Sequence, residues 1–378
     1  MFRRECDVTI YSEGGKFASF PAVAHLGGGR LMAVFRSAPN WQGFPGIAPG
    51  WYTHLDCNSR IVHAISEDGG LTWGAPRPFP QLPFGAAQDG GIFFDGKTLL
   101  VNSFAWGFPP LNVVEQLQAH GQDDYLLARA SGAALPLGQF VLRSIDLGQT
   151  WEGPFQPDPL VSGGEVAPGI PRRPHNRTNI VQLPDGRLLL AGQDFHYRPR
   201  HHSRCVLYES RDGGESWQHL AVVAEDGGVA VFEEPALIRT ASGRLVMLLR
   251  THCALDGAEF KRARLFRTVS EDGGRTWSVP ENTGVHGEPA HLCPMENGKI
   301  LVSIGHREAP FGVRLRICDA ELSNLAAAEE IVLRDDGGRP NTGYPWATPL
   351  GGNRYFIAYY LDPPGGRSGV FGTIATVE

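Results

Sequence analysis

The sequence predicts an all-β protein, a six-bladed β-propeller with four-stranded antiparallel blades. Two internal repeats in the 378 residues predict it: an eight-residue turn motif that occurs four times and a strand–turn–strand hairpin that occurs six times. Radial repetition of small antiparallel sheets leaves only short, protected sheet edges. Six units divide the chain into segments of about 63 residues, which is enough for four strands and their loops.

The turn motif reads S-x-D-x-G-x-[TS]-W, and we call it the Asp box. The Asp carboxylate accepts backbone N–H groups, the Gly permits a positive φ, and the Trp covers the turn with apolar area. Each box is therefore interpreted as a structural turn between the third and fourth strands of a blade. The four copies span 66–73, 144–151, 210–217 and 270–277.

The hairpin repeat consists of an apolar strand, a Gly-containing turn and a second apolar strand. In the fifth unit the Asp box is no longer recognisable around Asp319, and the sixth unit lacks a fourth strand after 370–377. We expect the N-terminal strand 7–11 to complete that last sheet and close the ring, which makes 1–378 a single propeller domain. The six hairpins are 20–36, 91–103, 178–193, 235–250, 289–305 and 344–360.

Composition excludes several functional classes. The net charge of −6 comes from interspersed acidic and basic residues, which argues against binding of nucleic acid or anionic membranes. No run of eighteen apolar residues and no apolar N-terminal segment is present, so a cytoplasmic location is expected. The six cysteines are scattered, which favours buried thiols over a disulfide framework or a zinc site. No cofactor or metal is expected.

Strand order places the polar residues of the hairpins on one rim. The start of each first strand and the end of each second strand share what we call the upper rim, and the Asp boxes lie on the opposite rim. Charged and phenolic side chains are concentrated at these upper positions. At strand starts they are Asp89, Arg177, Glu233, Glu234, Glu288 and Tyr344, and at strand ends Arg36, Asp194, Arg250, His306, Arg307 and Asp362.

Three long connections open onto the same rim: 37–59, 107–139 and 251–262. Long loops on a regular scaffold are common sites of function. The second is an insertion in blade two, and 111–130 within it is predicted to form a helix that acts as a lid. Tryptophans on this side stack on sugar rings or simply pack in the fold. They are Trp41, Trp51, Trp106 and Trp346.

The Asp boxes, the six hairpins and the sixteen-residue spacing from Glu234 to Arg250 resemble the sialidases (neuraminidases) and the wider Asp-box propeller group. The likeness extends over nearly the whole chain. It implies that Tyr344, at the start of the last blade, is the nucleophile and that Glu234 withdraws its proton. It also implies an aspartate acid/base on the first long loop. Asp56 matches that position, although a loop-capping role is an equal alternative.

Sialidases bind the substrate carboxylate with three arginines, and the resemblance assigns two of them here. Arg250 matches the second, and either Arg307 or Arg314 matches the third. Ser19, in Ala18-Ser-Phe-Pro21, replaces the first, so Arg36 or Arg177 is a possible substitute. Asp89 and His306 complete the predicted substrate-binding set.

The leading hypothesis is an exo-acting glycoside hydrolase of sialidase type that removes a terminal, acidic sugar from a glycan or small glycoside. Without the first arginine, the sugar is sialic-acid-like, a uronic acid or neutral. One alternative is a lyase in which a histidine or tyrosine abstracts a proton from a uronate. Another is a non-catalytic glycan-binding propeller. The loop 195–202 contains three histidines, but its arginines suit an anion better than a metal.

Overall fold

Six antiparallel sheets surround a central channel, as the repeats predicted. The structure is a computed structural model that describes residues 2–41, 45–46, 54–83, 85–123, 126–129, 132–161, 163–196, 202–225, 230–254, 264–363 and 366–377. The innermost strand of each sheet lines the channel, and each following strand lies one step further out. The all-β propeller fold is therefore confirmed.

The strands are numbered along the chain. Blade 1 contains β2 (Lys16–Gly27), β3 (Arg30–Pro39), β4 (Arg60–Ser66) and β5 (Arg77–Pro78). Blade 2 contains β6 (Gly85–Ala87), β7 (Gly91–Phe94), β8 (Leu99–Gly107), β9 (Leu127–Arg129), β10 (Gly132–Ser144) and β11 (Glu152–Phe155), followed by the separate hairpin β12 (Glu165–Ala167) and β13 (Ile170–Pro171). Blade 3 contains β14 (Val181–Gln182), β15 (Leu188–His196), β16 (His202–Ser210) and β17 (Gln218–Glu225).

The second half of the ring is more regular. Blade 4 contains β18 (Ala230–Arg239), β19 (Leu245–Ala254), β20 (Arg264–Ser270) and β21 (Glu281–His286). Blade 5 contains β22 (Ala290–Pro294), β23 (Ile300–His306), β24 (Phe311–Cys318) and β25 (Ile331–Gly337). Blade 6 contains β26 (Gly343–Gly351), β27 (Arg354–Leu361), β28 (Gly369–Val377) and the N-terminal strand β1 (Phe2–Tyr11).

The N-terminal strand closes the ring, and it is longer than the predicted 7–11. β1 pairs antiparallel with β28 from Phe2 opposite Val377 to Tyr11 opposite Val370. Asp7 adds a side-chain contact, because its carboxylate accepts a hydrogen bond of 2.7 Å from the Thr373 hydroxyl. The sixth sheet thus joins both ends of the described chain.

Each Asp box is built as its sequence suggests. In the fourth copy, the Asp272 carboxylate accepts hydrogen bonds from the backbone N–H and hydroxyl of Thr276, at 2.9 and 2.6 Å, and from the Ser270 hydroxyl. The fifth unit keeps the same device without the motif. Asp319 accepts bonds from the N–H of Glu321 and from the N–H and hydroxyl of Ser323.

The core lies between the blades rather than at one centre. Every pair of neighbouring blades shares a cluster of buried apolar side chains, including the pair formed by blades 6 and 1. The Asp-box tryptophans Trp73, Trp151, Trp217 and Trp277 each join the cluster shared with the preceding blade. Burial of these aromatic rings stabilises the contact between blades as well as the turn.

The helix predicted over 111–130 is shorter than expected. It spans Leu111–Ala119 and ends where Gly121 adopts a φ of 64°, the left-handed conformation that commonly terminates helices. The following residues instead form β9, which pairs with the start of β10. Val114 and Leu117 of the helix pack in a small cluster with Leu135 of the same insertion.

Candidate active site

Three blades carry the same irregularity at the upper end of their innermost strand. Phe20, Glu234 and Tyr344 each precede a proline and have a positive φ of 57°, 45° and 48°. At each point the inner strand contains one more residue than its partner, which is a β-bulge. Such backbone conformations are costly for residues other than glycine and are concentrated at functional sites. The bulges bring the three side chains together.

Tyr344 is the centre of this group. Its hydroxyl donates a hydrogen bond to Oε1 of Glu234, and its ring centroid lies 4.6 Å from that of Phe20. Arg250, at the upper end of β19, donates from Nη1 to the Tyr344 hydroxyl at 3.0 Å and to Oε2 of Glu234 at 2.5 Å. The predicted nucleophile, its predicted base and one predicted arginine therefore form one hydrogen-bonded unit.

The electrostatic surroundings keep Tyr344 protonated at rest. Burial and the charge of Glu234 raise the pKa of Tyr344 well above its usual value, against the opposing effect of Arg250 and Arg307. The proton must therefore leave during a reaction rather than before it. Glu234 accepts the phenol hydrogen bond, so it is positioned to receive that proton.

Arg307 contacts the Tyr344 ring, with its guanidinium carbon 5.1 Å from the ring centroid. Nη2 of Arg307 donates to the Tyr360 hydroxyl at 3.2 Å. Arg314, the other candidate for this role, donates instead to the backbone carbonyls of Pro310 and Arg334. The geometry therefore favours Arg307 over Arg314 at the site.

Glu288 is a site residue that the sequence analysis did not include in the substrate-binding set. Its Oε2 atom lies 2.7 Å from Nη2 of Arg250 and 3.7 Å from Nη1 of Arg307. The sequence does contain a signal for Glu288. The dipeptide Glu288-Pro289, at the start of blade 5, repeats the dipeptide Glu234-Pro235 of blade 4.

Asp89 lies between β6 and β7 of blade 2. It is buried, with only 3% of its surface exposed. Burial raises its pKa from 3.8 to about 7, although the charges of Arg177 and Arg36 oppose this shift. The charge of Asp89 also acts on Tyr344. Its Oδ1 atom has no hydrogen-bond partner among the described residues. Asp89 is thus close enough to the site for its charge to raise the pKa of Tyr344.

The two proposed substitutes for the missing arginine are both engaged in the fold. Arg177 is buried beneath Tyr344 and donates to the carbonyls of Pro21, Gly90 and Tyr344, which ties blades 1, 2 and 6 together. Arg36 is fully buried, and its Nε donates to the Ser59 hydroxyl at 2.7 Å. These contacts favour a structural role for both guanidinium groups.

Asp56 is buried in the first long connection. Its carboxylate accepts hydrogen bonds from Nε1 of Trp41 at 2.6 Å and from the backbone N–H of Asn58 at 2.7 Å. His54, two residues earlier, contacts the ring of Phe20 at 5.3 Å, and Phe20 in turn contacts Tyr344. The segment thus approaches the site, while the Asp56 contacts are those of a loop-capping aspartate.

Of the remaining candidates, His306 lies on the rim, and others fall outside the described residues. His306 lies on the rim of blade 5, 5.4 Å from His286 between ring centroids, and its Nδ1 is 3.2 Å from the Pro310 carbonyl. Trp51, the loop 197–201 and most of the connection 251–262 fall outside the described residues. Among the residues described, no three His, Cys, Asp or Glu side chains converge as metal ligands. In the same part of the chain, no helix has the length and apolar character needed to cross a membrane.

Solved structures resemble this chain at two levels. A protein of unknown function from Dyadobacter fermentans is 32% identical, with 100% of this chain and 99% of that chain covered and a TM-score of 0.89. The NanB sialidase from Streptococcus pneumoniae is 14% identical over 99% of this chain and 70% of its own, with a TM-score of 0.61. A Trypanosoma rangeli sialidase is 13% identical over 98% and 58%, with a TM-score of 0.56. At 14% and 13% identity, the two sialidase structures show that the fold is shared and no more.

A comparison with curated proteins finds no match. A family model described as a BNR repeat-like domain matches residues 128–349, which is more than half of the chain. This stretch includes three of the four Asp boxes together with Glu234, Arg250 and Tyr344. The chain is therefore a member of the BNR repeat-like domain family, with the six-bladed fold found in sialidases.

Proposed function

We propose that this protein is an exo-acting glycoside hydrolase of sialidase type that removes a terminal sugar from a glycan or small glycoside with retention of configuration. The hydrogen bond from the Tyr344 hydroxyl to Glu234 is the observation that carries the proposal. A nucleophile in contact with a base, which is in turn held by a third group, is the arrangement expected for covalent catalysis. Arg250 is that third group, because it contacts both.

In the first step, the Tyr344 oxygen attacks the anomeric carbon while its proton passes to Glu234. The bond from the anomeric carbon to the leaving-group oxygen breaks, and Asp56 donates a proton to that oxygen. The product of this step is a neutral glycoside of the Tyr344 oxygen, so the intermediate carries no charge on that oxygen. Arg250 stabilises the negative charge that develops on the phenol oxygen in the transition state.

In the second step, water attacks the anomeric carbon of the glycosyl–tyrosine intermediate. Asp56, now a carboxylate, takes the proton of that water, and Glu234 returns its proton to the phenol oxygen as the bond to Tyr344 breaks. Both carboxyl groups and the phenol thereby return to their starting protonation states. The resemblance to sialidases implies an acidic sugar, with Arg250 and Arg307 as the candidate ligands of its carboxylate.

Hydrolysis of a panel of aryl glycosides tests this function. The panel contains sialic, related ulosonic, uronic and neutral sugars, and it is assayed with the wild type, Tyr344→Phe and Tyr355→Phe. Tyr355 is a matched control, because it is a fully buried tyrosine in the core between blades 5 and 6. Release that requires the Tyr344 hydroxyl but not that of Tyr355 supports the proposal.

Two other outcomes would redirect it. No release from any glycoside by a folded protein would favour a non-catalytic glycan-binding propeller. An unsaturated product that absorbs in the near ultraviolet, formed from a uronate-containing glycan, would identify a lyase instead.

A further inference from the structure

Glu288 places a resident carboxylate between the two arginines of the site. The single atom Oε2 approaches Nη2 of Arg250 at 2.7 Å and Nη1 of Arg307 at 3.7 Å. The Arg250 and Arg307 side chains are 6% and 19% exposed, and the Glu288 side chain is 20% exposed. A largely buried carboxylate between two guanidinium groups is held by charge-assisted hydrogen bonding rather than by a screened surface contact.

Three further nitrogens of these two arginines also donate hydrogen bonds within the site. Nη1 of Arg250 donates to Glu234 and to the Tyr344 hydroxyl. Arg307 donates from Nε to the Thr342 carbonyl at 3.3 Å and from Nη2 to the Tyr360 hydroxyl. Two cations therefore face two carboxylates, Glu234 and Glu288, before any ligand enters.

The electrostatic environment of Arg250 agrees with this pairing. Burial alone lowers the pKa of Arg250, but the negative charges of Glu234 and Glu288 outweigh it and leave that pKa well above its usual value. An arginine so stabilised has already gained from internal carboxylates the interaction that an anionic ligand would supply. A second carboxylate entering beside Glu288 would meet a like charge at close range in a partly buried site.

The position of the absent third arginine leads to the same conclusion. Ser19 is fully buried, and its hydroxyl has no hydrogen-bond partner among the residues that the structure describes. Arg36, the cation opposite it in the strand register, is directed to Ser59. The guanidinium group at this position is thus engaged by Ser59 within the fold.

We propose that the terminal sugar accepted at Tyr344 carries no carboxylate, and that Glu288 supplies from the protein the anion that Arg250 and Arg307 hold. The substrate class is then a neutral glycoside rather than a sialic or uronic acid. This inference rests on the proposed glycosidase function, since it concerns the substrate of the same site.

Binding of a charged probe tests the inference without requiring turnover. A 2,3-unsaturated sialic acid analogue is titrated calorimetrically into the wild type, Glu288→Gln and Glu308→Gln. Glu308 is the control, because it is a carboxylate of the same blade that lies 3.6 Å from the His286 ring. Glu288→Gln keeps the shape of the side chain and leaves Arg250 paired with Glu234, so the variant is expected to fold.

The expected result is a gain of about tenfold or more in affinity for the acidic probe in Glu288→Gln only, because removal of one like charge frees the two guanidinium groups. Equal or weaker binding by Glu288→Gln than by the wild type would overturn the inference.

A second comparison needs no variant. Wild-type hydrolysis of neutral aryl glycosides is measured beside that of the sialic and uronic ones. Preference for the neutral sugars supports the inference, and preference for an acidic sugar overturns it while leaving the glycosidase function standing. If no glycoside is hydrolysed, the proposed function fails, and the binding result still decides whether Glu288 blocks an anion.

Discussion

Arg250 donates a hydrogen bond of 3.0 Å from Nη1 to the hydroxyl oxygen of Tyr344. The same hydroxyl donates its own proton to Glu234, so the phenol is held between a positive group and a base. This arrangement stabilises a phenolate only when Glu234 has taken the proton. The reactivity of Tyr344 therefore depends on Glu234 as much as on its own hydroxyl.

Replacement of Glu234 by glutamine tests that dependence. An amide cannot accept the phenol proton as a carboxylate does, so we expect kcat on aryl glycosides to fall by about 10²–10⁴-fold. The exposed Glu281, which lies on the outermost strand of the same blade, is the control site for a Glu→Gln change. An unchanged kcat in folded Glu234→Gln would remove Glu234 from the role of base.

The Asp56→Asn variant distinguishes two roles of Asp56, that of a proton donor and that of a loop-capping residue. A donor matters most for a poor leaving group, so we expect the rate on an alkyl glycoside to fall by about 10²–10⁴-fold and the rate on a dinitrophenyl glycoside to fall far less. The ratio of the two rates is the measurement. Equal losses on both substrates, accompanied by a lower unfolding midpoint, would mean that Asp56 acts through its contacts with Trp41 and Asn58.

The buried Asp89 predicts a pH dependence of stability. Because burial raises its pKa from 3.8 to about 7, the folded protein holds this proton more tightly than the unfolded chain does. Its contribution to stability is complete below pH 3.8 and is lost as the pH rises to 7. Between pH 5 and pH 8, the free energy of unfolding of the wild type should fall by about 2–3 kcal/mol relative to that of Asp89→Asn.

Urea unfolding of both proteins at the two pH values measures this difference. The variant is the appropriate reference, because every other titrating group is common to both proteins. A constant difference between wild type and variant would show that Asp89 is ionised throughout this range.

The turn at Asp319 in blade 5 lacks the Asp-box motif, but its contacts predict that Asp319 contributes to thermal stability. Asp319 accepts three backbone N–H groups and one hydroxyl, so Asp319→Ala should lower the thermal unfolding midpoint by as much as Asp272→Ala does in a recognisable Asp box. Alanine at the exposed Asp335 is the control for loss of charge in the same blade. A fifth-turn variant as stable as the Asp335 control would mean that the turn persists without its carboxylate.

The sequence predicted the propeller well because turn chemistry is local. Ser, Asp, Gly and Trp at fixed offsets determine one hairpin conformation, and four copies determine a repeat. The turn at Asp319 was not recognised in the sequence because Ile317 stands where the motif has serine. Only the contacts of the Asp319 carboxylate remain. The predicted helix that begins at Leu111 was too long, because the helical pattern of apolar residues continues past Gly121. At Gly121 the backbone adopts a positive φ, and the helix has already ended.

Strand order predicted the rim position of the site residues, whereas their roles follow from the resemblance to sialidases and stay predictions. Glu234, Arg250 and Tyr344 stand at strand ends that the repeat places on one rim. Glu288 and Arg250 belong to adjacent blades. The number of residues between them in the sequence does not predict that their side chains form an ion pair. Likewise, sequence offers Arg177 as a ligand, and only the structure reveals the three carbonyls that engage it.

Closure of the ring by β1 and β28 has a consequence for the order of synthesis. Asp7 and Thr373, which meet in the sixth sheet, are 366 residues apart along the chain. During synthesis, β1 therefore keeps its hydrogen-bonding edge unpaired until its partner β28 has been made. Tyr344 belongs to that same sheet, so the proposed nucleophile reaches its position only as the ring closes. A nascent chain that stops short of β28 would present five blades and an open edge.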